Sequence, residues 1–253
     1  IAWIARDTLY TRTLSDQGEW LDETRTIAPA VRVFGHPLAI VPTDSNLLVF
    51  WNATAGFAAM RLDDSGAPLD RAPIVLDGSI AMEPTAATFD GNDVIVAWTR
   101  YCPDLCNSLH RMARVSSGSL VRENIPLSPP PNTSSAAALG ETALLTWTST
   151  AGMVHATRVR NGQALDLVDE SGNATILVQP ADAVLAVTVV PRDGKFLVVY
   201  GAERLDGMDH RILILDPERS LREQLASSPL FSIGYVPEFN RRGWAQRVAL
   251  AAG

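Results

Sequence analysis

The sequence predicts an all-β fold, a β-propeller of four-stranded antiparallel blades with five to six blades visible in whole or part, and three observations predict it. An apolar run ending in an aromatic residue recurs five times with a period near 48 residues. A shorter strand follows each run in register, with a central Arg in four of the five copies. The apolar runs do not alternate with polar residues, so both of their faces are expected to be buried. Sheets stacked face to face around an axis bury both faces of their inner strands. A two-sheet sandwich leaves its outer faces wet and has no reason to repeat near 48 residues.

The runs are Ile1-Ala2-Trp3, Leu47-Leu48-Val49-Phe50-Trp51, Val94-Ile95-Val96-Ala97-Trp98, Ala143-Leu144-Leu145-Thr146-Trp147 and Phe196-Leu197-Val198-Val199-Tyr200. Their aromatic ends stand at 3, 51, 98, 147 and 200, spaced by 48, 47, 49 and 53 residues. The second element is Tyr10-Thr11-Arg12-Thr13-Leu14, Ala59-Met60-Arg61-Leu62, Met112-Ala113-Arg114-Val115 and Ala156-Thr157-Arg158-Val159; the fifth copy, Arg211-Ile212-Leu213-Ile214-Leu215, lacks the central Arg. A polar turn with Gly closes four copies, and Asp216-Pro217-Glu218-Arg219 replaces it in the fifth. Gly supplies the positive φ that tight hairpins need.

The unit from Ile80 to Pro131 carries the whole pattern: strands at Thr85–Phe89, Val94–Trp98, Leu109–Val115 and Leu120–Ile125, with Asp90-Gly91-Asn92 as the first hairpin turn. The repeats divide the chain, read as one propeller domain over 1–253, into 1–30, 31–79, 80–131, 132–180 and 181–229, with a tail over 230–253. The first repeat lacks its leading strand, so the register begins in mid-blade and a cut or incomplete start is expected. Phe231–Tyr235 and Trp244–Leu250 in the tail read as strands; they either begin a further blade or supply the missing strand of the first and close the ring.

Composition narrows the function. Apolar residues make up 47% and charged residues 19%, which argues against disorder. The net charge of −7 lacks the basic footprint of a general nucleic-acid binder. No apolar run is long enough for a membrane-spanning helix, so no membrane insertion is expected within this segment. Nucleophile-elbow, phosphate-loop and His-Glu-x-x-His motifs are absent, and no cofactor or metal site is assigned.

The strand ending in Trp, the alternating strand and the Gly-bearing turn together resemble the divergent propeller repeats of bacterial secreted and cell-surface proteins, over residues 1 to about 229. Neither a Trp-Asp dipeptide nor a Gly-Gly pair recurs, which sets the chain apart from the WD40 and kelch families. The resemblance implies an extracellular, cell-surface or periplasmic location. In that context a local disulfide is the leading reading of Cys102 and Cys106, four residues apart. His110 extends them to Cys-x3-Cys-x3-His, but a structural metal site needs a fourth ligand; free thiols are the remaining reading.

Long loops on a rigid scaffold are where binding residues concentrate. The long connections are Thr99–Ser108, Leu127–Ser135 and Gly201–Asp209. They and the channel mouth supply the candidate ligand-binding residues His36, Glu83, Arg100, Tyr101, Asp104, Glu203, Arg204 and His210. The repeated arginines Arg12, Arg61, Arg114 and Arg158 are read as partners of Asp22, Asp70, Glu123 and Asp166 on the fourth strand rather than as an anion site. His155 is read as structural. The leading expectation is a non-catalytic binding or scaffold module that takes a glycan, peptide or protein ligand on its long-loop face. The alternative is a propeller hydrolase or lyase acting on a polysaccharide, with Glu83, Asp104 and Glu203 as its acids.

Overall fold

A computed structural model describes residues 1–29, 38–78, 81–100, 109–116, 125–128, 131–149, 151–168, 173–178, 184–204, 207–226 and 231–237. The protein forms two compact units, Ile1–Asn124 and Ile125–Gly253. Both are built from antiparallel sheets, as the repeat predicts.

In the first unit, β1 (Ala2–Ala5), β2 (Thr8–Thr11) and β3 (Arg25–Pro29) form a three-stranded sheet. The second sheet holds β4 (Ala39–Pro42), β5 (Leu47–Ala53), β6 (Gly56–Leu62) and β7 (Ile74–Asp77) in chain order. In the third, β8 (Ala81–Phe89), β9 (Asp93–Arg100) and β10 (Leu109–Ser116) pair antiparallel. Strand β5 shows why its sequence does not alternate. Its residues Leu48 and Phe50 pack with Val94, Val96 and Trp98 of β9. Val49 and Trp51, on the opposite face, pack with Leu9, Ile27 and Ala28 of the first sheet. The middle sheet is therefore covered on both sides.

The second unit opens with β11 (Ile125–Leu127). Its fourth sheet runs β12 (Pro131–Leu139), β13 (Thr142–Ser149), β14 (Val154–Arg160) and β15 (Gln163–Ala164), and β16 (Thr175–Val178) also pairs with β14. The fifth holds β17 (Val184–Arg192), β18 (Lys195–Arg204), β19 (Gly207–Leu215) and β20 (Phe231–Pro237) in order. Leu144, Val154, Ala156 and Leu177 pack against Val187, Val189, Phe196, Val198 and Tyr200, so these two sheets also stack face to face.

The tail strand Phe231–Pro237 pairs with β19 as the outer strand of the fifth sheet. It neither begins a further blade nor completes the first sheet; Trp244–Leu250 lies outside the described residues. The short helix α1 (Leu221–Leu225) precedes it, with Ser220 accepting from the Glu223 amide at its N-terminus. Buried Gln224 bonds the backbone of Asp216 and Arg219 and so closes the turn that lacks Gly. The other expected turns that lie among the described residues form as expected; Ser117-Gly118 lies outside them. Asp90 Oδ1 accepts from the amides of Asn92 and Asp93 at 3.0 and 2.8 Å. Asn161 and Gly162 join Arg160 to Gln163 with φ of 51° and 76°, which Asn and Gly tolerate best.

The recurring arginines pair with acids, but those acids lie in the connections leading to the outer strands, not on the strands themselves. Arg61 meets Asp70 at 2.6 Å and also donates its backbone amide to that carboxylate at 2.8 Å. Arg158 meets Asp166 at 2.8 Å and donates its amide at 3.0 Å. In the first sheet Thr13 donates the amide, while Arg12 bonds the Asp22 carbonyl at 2.8 Å and Arg25 meets the Asp22 carboxylate at 3.3 Å. The physical reason is ladder length. Strand β6 pairs with β7 only through Phe57–Ala59, so the Arg61 amide has no ladder acceptor and the carboxylate supplies one. Glu123 and the Arg114 side chain lie outside what is described.

The same groups hold the next sheet. Thr11 and Thr13 donate hydroxyls to the Gly66 and Ser65 carbonyls, each at 3.0 Å, and Arg25 bonds Ser65 Oγ at 2.9 Å. In the second unit Arg158 bonds the Pro217 carbonyl at 3.0 Å, and Asp166 accepts the Leu221 amide at 3.2 Å. In these two pairs the earlier sheet thus grips the third-strand turn of the later one.

Burial raises the Asp70 pKa, but the side-chain and backbone hydrogen bonds from Arg61 and its charge outweigh burial and hold the carboxyl below the ordinary carboxylate value. Its contribution to stability is present above the unfolded pKa of about 3.9 and is lost as pH falls through the lower, folded value. The Arg158 and Asp166 side chains are only 8% and 4% exposed. Asp166→Ala leaves a buried guanidinium without its counter-ion, and urea unfolding is expected to show a loss of about 3–5 kcal/mol. Asp70→Ala, beside an Arg61 side chain that is 28% exposed, is expected to cost about 1–3 kcal/mol.

Two buried tryptophans provide a second test. Trp98 Nε1 donates to Asp77 at 3.2 Å. Trp51 Nε1 has no hydrogen-bond partner among the described residues, and by register Ala28 occupies in the first sheet the place of Asp77 in the second. Both side chains are essentially unexposed. Trp98→Phe is therefore expected to cost about 1 kcal/mol more than Trp51→Phe in the same unfolding assay.

Candidate functional site

With their carboxylate, carbonyl and turn partners, Arg12, Arg61 and Arg158 are structural, and the chemistry-bearing residues that remain cluster at strand ends. In each sheet the start of the first strand, the end of the second and the start of the third share one end. In the third sheet Ala81 and Leu109 both lie opposite Arg100, the last residue of β9, and Glu83 lies opposite Thr99. The backbone therefore places Glu83 and Arg100 together at one end of this sheet. In the fifth sheet Glu203 and Arg204 close β18 opposite Met208 and Gly207, and partly buried His210 lies opposite Gly201. These three share the corresponding end of their own sheet.

The stretch Gly201–Asp209, expected as a long loop, is part of a hairpin instead. Strands β18 and β19 stay paired from Phe196↔Leu215 to Arg204↔Gly207, leaving two residues between them. The continuous backbone ladder extends past the apolar run and carries the polar residues outward on a strand frame. The Leu127–Ser135 connection is likewise shortened, because β12 begins at Pro131. His36, Tyr101, Cys102, Asp104 and Cys106 lie outside the described residues.

A feature unread in the sequence emerges from the register. His110-Arg111 and His210-Arg211 occupy equivalent places: each His pairs with the residue after the second-strand aromatic, and each Arg pairs with that aromatic, Trp98 or Tyr200. The His-Arg step thus recurs at the same end as Glu83 and Arg100 in the third sheet and Glu203 and Arg204 in the fifth. The two steps stand at different distances in sequence from Trp98 and Tyr200, so only the strand register aligns them. Imidazole, guanidinium and carboxylate at one strand end are the groups that bind an anionic ligand and move a proton. No group of three His, Cys, Asp or Glu side chains arranged to hold a metal occurs among the described residues. No helix among them is long and apolar enough to cross a membrane.

No family model matches the chain, and no curated protein matches it. Similarity to solved structures is confined to fold. The chain is similar to an oligogalacturonate lyase in complex with manganese, with a TM-score of 0.55 and 13% identity over 92% of this chain and 60% of that one. It is also similar to an apocarotenoid oxygenase mutant of Synechocystis, with a TM-score of 0.53 and 11% identity over 92% of this chain and 57% of that one. The chain thus spans about three fifths of either protein. The conclusion these comparisons carry is architectural: this is an all-β chain of several antiparallel sheets whose structural neighbours are propeller-type proteins.

Proposed function

We propose that the five sheets are blades of one β-propeller and that it acts on an acidic polysaccharide as a lyase or hydrolase. The observation that carries the reading is the recurrence of the His-Arg step, His110-Arg111 and His210-Arg211, at the strand end that also carries Glu83 and Arg100 in one sheet and Glu203 and Arg204 in another. The fold likeness to an oligogalacturonate lyase supports a uronate-bearing substrate. In this reading the arginines bind the sugar carboxylates, since guanidinium pairs with carboxylate in a planar fork. The histidine and the glutamate at each of these strand ends are the groups that transfer protons. An arginine beside the carboxylate of the reacting sugar also stabilises the charge that builds up when the neighbouring carbon loses its proton. The substrate class fits an extracellular or periplasmic location. Absence of any nucleophile motif supports the second reading, a module that binds the same glycan without turning it over.

Incubation with polygalacturonate and with neutral xylan separates the readings. A lyase releases unsaturated uronides seen by ultraviolet absorbance, and a hydrolase releases reducing ends without that absorbance. His210→Ala and Glu83→Gln are each expected to lower turnover by about a hundredfold or more, with unfolding midpoints unchanged. Saturable retention on immobilised polygalacturonate without any turnover would establish the binding module instead. Neither turnover nor retention would overturn both.

A further inference from the structure

His155 stands opposite Trp147, where the third and fifth sheets place Arg111 and Arg211. It is 3% exposed, and its ring lies on that of Trp147 with centroids 5.8 Å apart and planes 18° apart. Neither ring nitrogen has a hydrogen-bond partner among the described residues. The residues sharing its sheet face carry no charge: Ser134 from β12, Leu145 and Trp147 from β13, Thr157 from β14 itself and Ile176 from β16. Strand β15 contributes only Gln163 and Ala164. The charged groups of β14 are Arg158 and Arg160, which alternate onto the other face and are held by Asp166 and Glu218. Burial pushes the imidazole pKa below its ordinary value, opposed by the nearby Ala174 backbone, which does not reach hydrogen-bond geometry with either nitrogen.

The cover beside this ring is thin. Strand β16 is four residues long, and its pairing with β14 slips between Val154 and His155. Its Ile176, opposite His155, is 41% exposed. Solvent is therefore one short, irregularly paired strand away from an imidazole that meets no carboxylate among the described residues if it becomes charged.

We propose that His155 is an acid-sensitive pin for the outer strand of the fourth sheet: neutral, it packs on Trp147 and β16 stays paired; protonated, it is solvated only by parting β16 from β14. The sign follows from linkage. The open form binds a proton at the ordinary value of about 6.5 and the packed form only at lower pH. Between the two values the open form holds more protons, so pairing of β16 is fully stable above the window and weakens as pH falls through it.

Hydrogen exchange of the amides of residues 174–178 tests this on the full chain, measured at about pH 7.5 and about pH 5 and corrected for intrinsic exchange. Protection is expected to fall by about tenfold at the lower pH in the wild type. It is expected to hold steady in His155→Gln and His155→Phe, with the amides of β18 unchanged throughout. Equal loss of protection in wild type and variants would overturn the proposal, as would no loss in the wild type. Titration of the histidine ring signals by NMR needs no variant: a His155 midpoint at or above the ordinary value would also overturn it.

Discussion

A strand that is apolar on both faces has to be covered on both faces, and the arrangement of this protein follows from that requirement. Strand β5 meets it by sending Leu48 and Phe50 into one core and Val49 and Trp51 into another. Neither core belongs to a single sheet. Each is shared between two, so no sheet in the described pairs is complete by itself. Hydrophobic burial fixes how the sheets stack, but it is non-directional. Direction comes from polar contacts at the edges, where a carboxylate takes the amide that the outer strand leaves unpaired and its neighbours take the turn of the next sheet.

The regular part of this design was legible in the sequence because burial writes a pattern. Five aromatic strand ends gave the period, and the structure puts Trp51, Trp98, Trp147 and Tyr200 in the cores at 1% exposure or less. The arginine partners were legible in kind but not in place. Complementary charge says that Arg61 wants Asp70; only the short β6–β7 ladder says that the acid is there to cap an amide. The fifth copy was the least legible. Losing its Gly turn and central Arg, it inserts α1 and postpones its outer strand to Phe231–Pro237. A periodic reading assigns such a displaced strand to the next unit.

The candidate site was legible in composition but not in geometry. Glu83, Arg100, Glu203, Arg204 and His210 are polar residues next to apolar runs, which is enough to notice them. Their grouping within each sheet depends on which strand ends coincide, and that is set by register, to which a linear reading is blind. The stretch around Glu203 looked like a loop because its residues are polar. Backbone hydrogen bonds do not depend on side-chain polarity, and the hairpin continues through it. A rigid strand frame positions side chains more closely than a loop does.

The grip between successive sheets has a fixed polarity along the chain. In both described cases the receiving groups, Thr11 to Arg25 and Arg158 to Asp166, precede the turn that fills them, Ser65-Gly66 and Pro217 to Leu221. A ribosome makes the N-terminal sheet first, and domains form as the chain emerges. In these two pairs the later sheet therefore meets a receptor made before it.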